Sequence, residues 1–287
     1  MDVLGVSDDG KTIVGKVLLG TEWQPCVWFG SQSQVLEIPD GAEGQAEAVS
    51  DDGQRVVGWA GSSVNTRVSI HWDRSGTAFG TFEFLGESQL VRALACDDSG
   101  DVVVGEAGSG APVVCHIGPS LSCVEMVGSG AGLGLSGDGK IWVGNISGTA
   151  AAWRTSDAVM IWTSTQLMGG ATAITDDGSV LVGALAVGGF YGVVADDGVD
   201  FPLTGGIPQA VAGSAASWVA VGNCPTEACK WDNSGAPLVI QEVVAADYQG
   251  ATLVTAADIT ADGTIIVGVA NGPFSEGRRP YRLKLGP

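Results

Sequence analysis

Ala46 to Trp72, AEAVSDDGQRVVGWAGSSVNTRVSIHW, is the stretch whose reading decides the fold. Two short β-rich runs, AEAVS and RVVGW, meet at Asp51-Asp52-Gly53, where acidic side chains bond back to the turn backbone and glycine takes a positive φ. A third run, VSIHW, follows a polar loop. A fourth, TFEFL, follows the turn at Asp73-Arg74-Ser75-Gly76, so the segment reads as four short strands in a meander.

The unit recurs along the chain. It returns as VLGVSDDGKTIVG from Val3, ALACDDSGDVVVG from Ala93, LGLSGDGKIWVG from Leu133, ATAITDDGSVLVG from Ala171, AVAGSAASWVAVG from Ala210 and AADITADGTIIVG from Ala256. The turn glycines Gly10, Gly53, Gly100, Gly139, Gly178 and Gly263 each stand five residues before a second glycine, and the sixth copy keeps Gly222 but has Ser217 at the turn. Copies spaced by about 39 to 47 residues have the period of a four-stranded propeller blade and are too long for the coils of an open β-solenoid. The reading is therefore an all-β, seven-bladed β-propeller of four-stranded antiparallel blades, one domain over 1–287, with blades at about 3–44, 45–89, 90–130, 131–170, 171–208, 209–251 and 252–287. A bulky residue is expected at one phase of each third strand to pack between blades: Trp28, Trp72, His116, Trp153, Val194, Trp231 and Leu283. The last copy stops in its third strand, at RPYRLKLGP. A strand from another subunit, or from outside this chain, is expected to complete that blade.

The pattern AxAVSxDGxxVVG, followed by a loop and a strand ending in Trp, resembles the HAF-repeat family of bacterial extracellular propeller proteins over nearly the whole chain. SIHW, AAAW and ACKW stand where His-Ala-Phe would stand. The resemblance implies an exported surface or secreted protein and carries over no catalytic residues.

Composition narrows the function. With 32 acidic against 13 basic residues the formal charge is -19, which repels nucleic acid. No apolar run is long enough to span a membrane. The start, MDVLGVSDDG, has neither a basic n-region nor an apolar h-region, so export is expected to use a signal outside this chain or another route. Cys115 with Cys123, and Cys224 with Cys229, each flank a loop between predicted strands. They read as cross-strand disulfides of an oxidising compartment, with buried thiols as the alternative, and Cys26 and Cys96 are not expected to pair with each other.

A zinc site needs clustered His and Cys, and the two histidines, His71 and His116, fall in different blades. Neighbouring acids in SDDG lack the alternation of a calcium loop, leaving at most adventitious Ca²⁺ binding, so no metal or cofactor is expected. No GxSxG elbow is present, and a carboxylate pair for glycoside hydrolysis cannot be picked out from 32 acids. Strand alternation puts the DDG turns on one face of the disc. The second-to-third-strand loops and blade crossovers open on the other, which carries the candidate ligand residues Glu22, Trp23, Arg67, Phe190, Tyr191, Tyr248, Phe274, Arg278 and Arg279, with Asn65, Glu227 and Asp247 nearby. The preferred function is non-enzymatic recognition or adhesion, a rigid face shown to a glycan or protein at a cell or virion surface. The alternatives are a structural subunit that self-assembles through the last blade into a fibre, layer or virion appendage, and a glycan-cleaving hydrolase or lyase.

Overall fold

The computed structural model describes residues 1–30, 32–61, 66–85, 89–118, 121–167, 169–186, 188–196, 198–244, 250–272 and 277–285, the side chains of 167, 243 and 244 excepted. Seven antiparallel sheets form a ring, each with its strands in chain order. Blade one is Asp2–Val6, Thr12–Leu19, Glu22–Phe29 and Gln32–Val35. The inner strands of blades two to six are Gly44–Val49, Arg92–Cys96, Gly130–Leu135, Gly170–Ile174 and Ile207–Ser214. Blade seven has three strands among the described residues: Thr252–Ile259, Ile265–Asn271 and Arg278–Lys284. The ring shuts where Val3, Val6 and Ile13 pack on Val267 and Val269, the Val6 amide donates to Asp258 Oδ2 at 2.9 Å, and Arg282 Nε donates to the Gly10 carbonyl at 2.6 Å. No helix among the described residues is long and apolar enough to cross a membrane.

All seven inner strands share one irregularity. At the same place in every blade, pairing with the second strand skips a residue: Leu4, Glu47, Leu94, Leu133, Thr172, Gln209 and Ala257, and blade seven skips Val254 as well. This is a β-bulge, which turns one side chain out of the ladder and increases the local twist. The second glycine of the repeat exists because of it. A Cβ on Gly58, which faces the bulge, would overlap the carbonyl oxygen of Gln45, and Gly15, Gly105, Gly144, Gly183, Gly222 and Gly268 meet the same obstacle in their own blades. The turn glycine has a different reason: Gly53 sits at φ +67.

Around that glycine the turn is closed by side chains. Ser50 Oγ donates to Asp52 Oδ1 at 2.7 Å, Asp52 Oδ1 accepts from the Gln54 amide, and Ser50 Oγ accepts from the Arg55 amide. Thr175 with Asp177 and Thr260 with Asp262 repeat the arrangement. The second acid of each DDG is thus consumed by the turn, and the first is left to face elsewhere.

Between blades the bulky phase of the third strand is filled in more ways than the sequence indicates. Trp72, Trp153 and Trp231 are buried to 1% exposure or less. Trp72 Nε1 donates to the Glu37 carbonyl at 2.7 Å and Trp231 Nε1 to the Thr204 carbonyl at 3.0 Å, each acceptor lying just past the outer strand of the preceding blade. In blade three the residue in this phase is Cys115, opposite Val103, whereas His116 points out and is exposed, which corrects its reading as a packed histidine. In blade five it is Gly192 and not Val194, because Trp162 from the outer strand of blade four occupies the space; a Cβ on Gly192 would lie 2.7 Å from its ring. Cys115–Cys123 cross-links paired residues of the third and fourth strands of blade three, and Cys224–Cys229 closes the loop before the third strand of blade six. Cys26 and Cys96 are free, and burial raises both thiols, Cys26 to about 11.

Substituting Gly58→Ala forces the bulge apart and is expected to destabilise by about 3 kcal/mol, the upper range for overpacking. Gly20→Ala, at φ +66 with open space around it, should cost only about 1 kcal/mol for the left-handed backbone. Equilibrium urea unfolding distinguishes them; equal losses would show that the bulge contact is not what the second glycine serves.

Candidate functional site

The seven bulge residues form a collar around the axis, and the same residues line both ends of an axial channel. Toward the DDG face the channel is a cavity of about 200 Å³. The first residues of the turns meet there and chain themselves into an arc of backbone hydrogen bonds: Asp8 N to Asp51 O, Asp51 N to Asp98 O, Asp98 N to Gly137 O and Gly137 N to Asp176 O, at 3.0–3.2 Å. The arc brings carboxylates from separate blades together, and oxygens of Asp51, Asp98 and Asp176 lie within 4.8 Å of one another. Burial, and then the charge of Asp98, pushes Asp51 up to about 7 and Asp176 up to about 6, and burial with the adjacent Asp97 raises Asp98. Three such oxygens suit a hard cation. The turn acids behave oppositely: the Thr260 hydroxyl holds the Asp262 carboxyl below the usual range.

Two further acids are enclosed. Asp258 is half-buried, and the protein packed around it pushes its carboxyl up to about 7. It stands in the slot where other inner strands have glycine or alanine, such as Gly5, Ala48 and Ala95. Glu47 is the one charged member of the collar. Burial raises it against hydrogen bonds donated by Gln45 and by Trp59 Nε1 and the charge of Arg92.

The opposite face carries mixed charge, aromatic rings and two connected depressions. The channel mouth here holds about 410 Å³ and shares Gln209 and Asn223 with a groove of about 790 Å³ between blades five and six. The groove has an apolar floor of Leu185, Phe190, Leu203 and Ile207, and a polar wall of Gln166, Asp200 and Asn223. Asp200 Oδ2 accepts from Ser164 Oγ at 2.7 Å, which fixes the carboxylate. Among the described residues Asp200 Oδ1 and Asn223 Oδ1 have no hydrogen-bond partner, and both atoms are closed to solvent. Such orphans are rare in native proteins and cost about 1–3 kcal/mol each. Cys224 lines the groove, so the disulfide to Cys229 pins its rim.

The residues singled out from the sequence are dispersed over this face. Glu22 is exposed, Trp23 is half-buried with Lys16 Nζ 4.9 Å from its ring, and the Arg67 guanidinium lies 4.5 Å over Trp59. Arg278 is exposed and 3.6 Å from Asp2; Arg279 is exposed on the same strand. Glu227 is half-buried in the loop closed by the second disulfide. Phe190 is not an exposed contact: it is 1% exposed, stacks on Trp162 and forms groove floor, because it faces the second-strand glycine Gly183 inside the blade. Tyr191 packs between Phe201 and Trp218. Asn65, Asp247, Tyr248 and Phe274 lie outside the described residues. Asp200 and Asn223 carry no motif and could not be found by sequence, and the acidic cluster was hidden because its members are about 40 to 80 residues apart.

No family model matches the chain, and no curated protein matches it. Among solved structures it is similar over 100% of its length to 87% of a chain in the crystal structure of a mitotic checkpoint complex, with a TM-score of 0.66 and 12% identity. A second similarity, to TolB from Acinetobacter baumannii, has a TM-score of 0.48 and 18% identity over 65% of this chain and 49% of that one. At 12% identity the first likeness speaks for the propeller fold alone.

The axial acids give a pH dependence with a definite sign. Asp51, Asp176 and Asp258 have folded-state values raised above the ordinary carboxylate range. The stability they supply is fully present below about pH 4 and is lost as pH rises through 6 to 7. The turn acids work the other way and lose stability as pH falls below about 4. Melting temperature should therefore peak near pH 4.5–5.5 and decline toward pH 8. Asp51→Asn should flatten that decline and raise the melting temperature at pH 8; an unchanged slope would show that the cluster does not carry it.

Proposed function

We propose that the protein is a non-enzymatic recognition module that binds a glycan in the groove between blades five and six, outside the cell or at a surface. The observation that carries this is a groove whose apolar floor, Leu185, Phe190, Leu203 and Ile207, meets a polar wall of Gln166, Asp200 and Asn223. A ligand that fills it must bring hydrogen-bonding groups and apolar faces together, which is the chemistry of a sugar ring. Its volume of about 790 Å³ falls within the range of small-ligand sites. The closed ring and the Cys224–Cys229 bridge hold the rim before any ligand arrives, so little ordering cost accompanies binding. Two disulfides support an oxidising compartment, in keeping with an exported protein.

A glycan array probed with the full chain tests this. Retention without product formation is expected, and Asp200→Ala or Asn223→Ala, each removing a polar group from the groove wall, should weaken binding about tenfold, the effect of one lost hydrogen bond. Glu22→Ala, which is remote from the groove, should leave it unchanged. Reducing sugar released over time would identify an enzyme instead. Binding to no glycan at about 1 mM, or binding indifferent to both substitutions, would remove this reading.

A further inference from the structure

The groove between blades five and six and the channel mouth it opens into are lined by one sign of charge. Among the described residues that line the groove, Asp200 is the one charged side chain, and the mouth adds Asp2 and Glu47 but no Lys, Arg or His. The two acids of the mouth are matched from outside it. Lys16 and Arg278 each lie 3.6 Å from Asp2, while Glu47 accepts from Trp59 Nε1 and has Arg92 4.0 Å away. Asp200 is not matched. Ser164 Oγ donates to its Oδ2, and among the described residues no Lys, Arg or His nitrogen lies within 4.0 Å of either carboxylate oxygen.

A half-buried carboxylate has lost part of its hydration, and the Ser164 hydroxyl is a neutral donor that leaves its charge in place. An opposite charge is attracted more strongly there than at a fully solvated group. Oδ1 is closed to solvent, so a ligand meets this carboxylate at Oδ2, where the Ser164 bond leaves acceptor capacity unused. A sugar hydroxyl makes an ordinary hydrogen bond at that point, whereas a protonated amine makes a charge-assisted one, roughly twice as strong. The formal charge of -19 favours the approach of cations, and no basic side chain in the groove opposes it. The apolar floor excludes a bare ammonium ion as the occupant, because the cation has to arrive on a body with apolar faces of its own.

We propose that the groove selects an amino sugar, with the protonated amine of one ring held at Asp200 Oδ2 and the apolar face of that ring on the floor of Leu185, Phe190, Leu203 and Ile207. This rests on the reading of the groove as a glycan site and narrows it to one class of sugar, with Asp200 as the residue that sets the preference. The groove continues into the channel mouth past Gln209 and Asn223, which leaves room for further rings of the same chain.

The probes are the glucose tetramer of cellulose and the glucosamine tetramer of deacetylated chitin, which share a backbone and differ in carrying a hydroxyl or an amine on each ring. Each is titrated into the full chain by calorimetry at about pH 6, where the amine is protonated. The glucosamine tetramer is expected to bind at least about tenfold more tightly. Asp200→Asn keeps the side-chain shape and an acceptor oxygen. It should bring the glucosamine tetramer down to the level of the glucose tetramer, whose own affinity should move by less than about twofold and so show that the groove is intact. Asp40→Asn removes the same unit of charge from the exposed connection between blades one and two and should leave the preference unchanged. Three results overturn the proposal while leaving the glycan groove standing: equal binding of the two tetramers, a preference that survives Asp200→Asn, or no binding of the glucosamine tetramer at about 1 mM when another glycan is retained. Retention of no glycan overturns both readings. A lysine-containing tetrapeptide that binds as tightly as the glucosamine tetramer and is lost in Asp200→Asn also overturns the proposal, since a protein would then be the occupant.

Discussion

Seven strands can converge on one axis only if their backbones come closer than side chains normally permit, and the bulge facing a glycine is how this chain meets that constraint. The extra residue in each inner strand adds twist and turns one side chain toward the channel. The ladder then runs so near the second strand that Gln45 O, or its equivalent, fills the space a Cβ would need. The collar, the arc of turn backbones and the acidic mouth follow from that spacing. So does the small residue that blades one to six place two positions after the glycine-facing one, as in Gly134, whose Cβ would meet Ala173 of the next blade at 2.9 Å.

The repeat is regular in backbone and varied in what fills its gaps. One slot is satisfied by an indole, by a disulfide sulfur, or by a tryptophan reaching over from the blade before, as Trp162 does above Gly192. Close packing requires that the volume be filled, not that one residue type fill it. The same freedom lets blade six depart from the rest. Its turn lacks the acid and glycine, the described backbone arc runs as far as Gly137 donating to Asp176, and the groove toward blade five opens on the opposite face of the disc.

Charge is partitioned between the two faces. The DDG face gathers Asp8, Asp51, Asp98 and Asp176 at one mouth, where burial and then the charge of Asp98 push Asp51 up to about 7 and Asp176 up to about 6. The other face interleaves Lys16, Arg67 and Arg92 with Glu47, Glu106, Trp23 and Trp59.

Fold class was legible in the sequence because its causes are local. A DDG turn, a positive-φ glycine and strand alternation each act within about ten residues, so counting copies counted the blades and located the two disulfides at hairpin-like spacings. The tryptophan phase was legible in blades one, two, four, six and seven and misplaced in three and five, where the filler comes from a disulfide or a neighbouring blade. The site was not legible. Ser164 and Asp200 lie 36 residues apart, Asp258 bonds a residue 252 positions away, and no local period records which acids a closed ring will bring together. The chain alone therefore determined the number and build of the blades, through hydrogen bonds within each hairpin. Only tertiary closure decided which carboxylates share the axis and which side chains line the groove between blades five and six, because those depend on contacts between blades whose sequences carry no trace of one another.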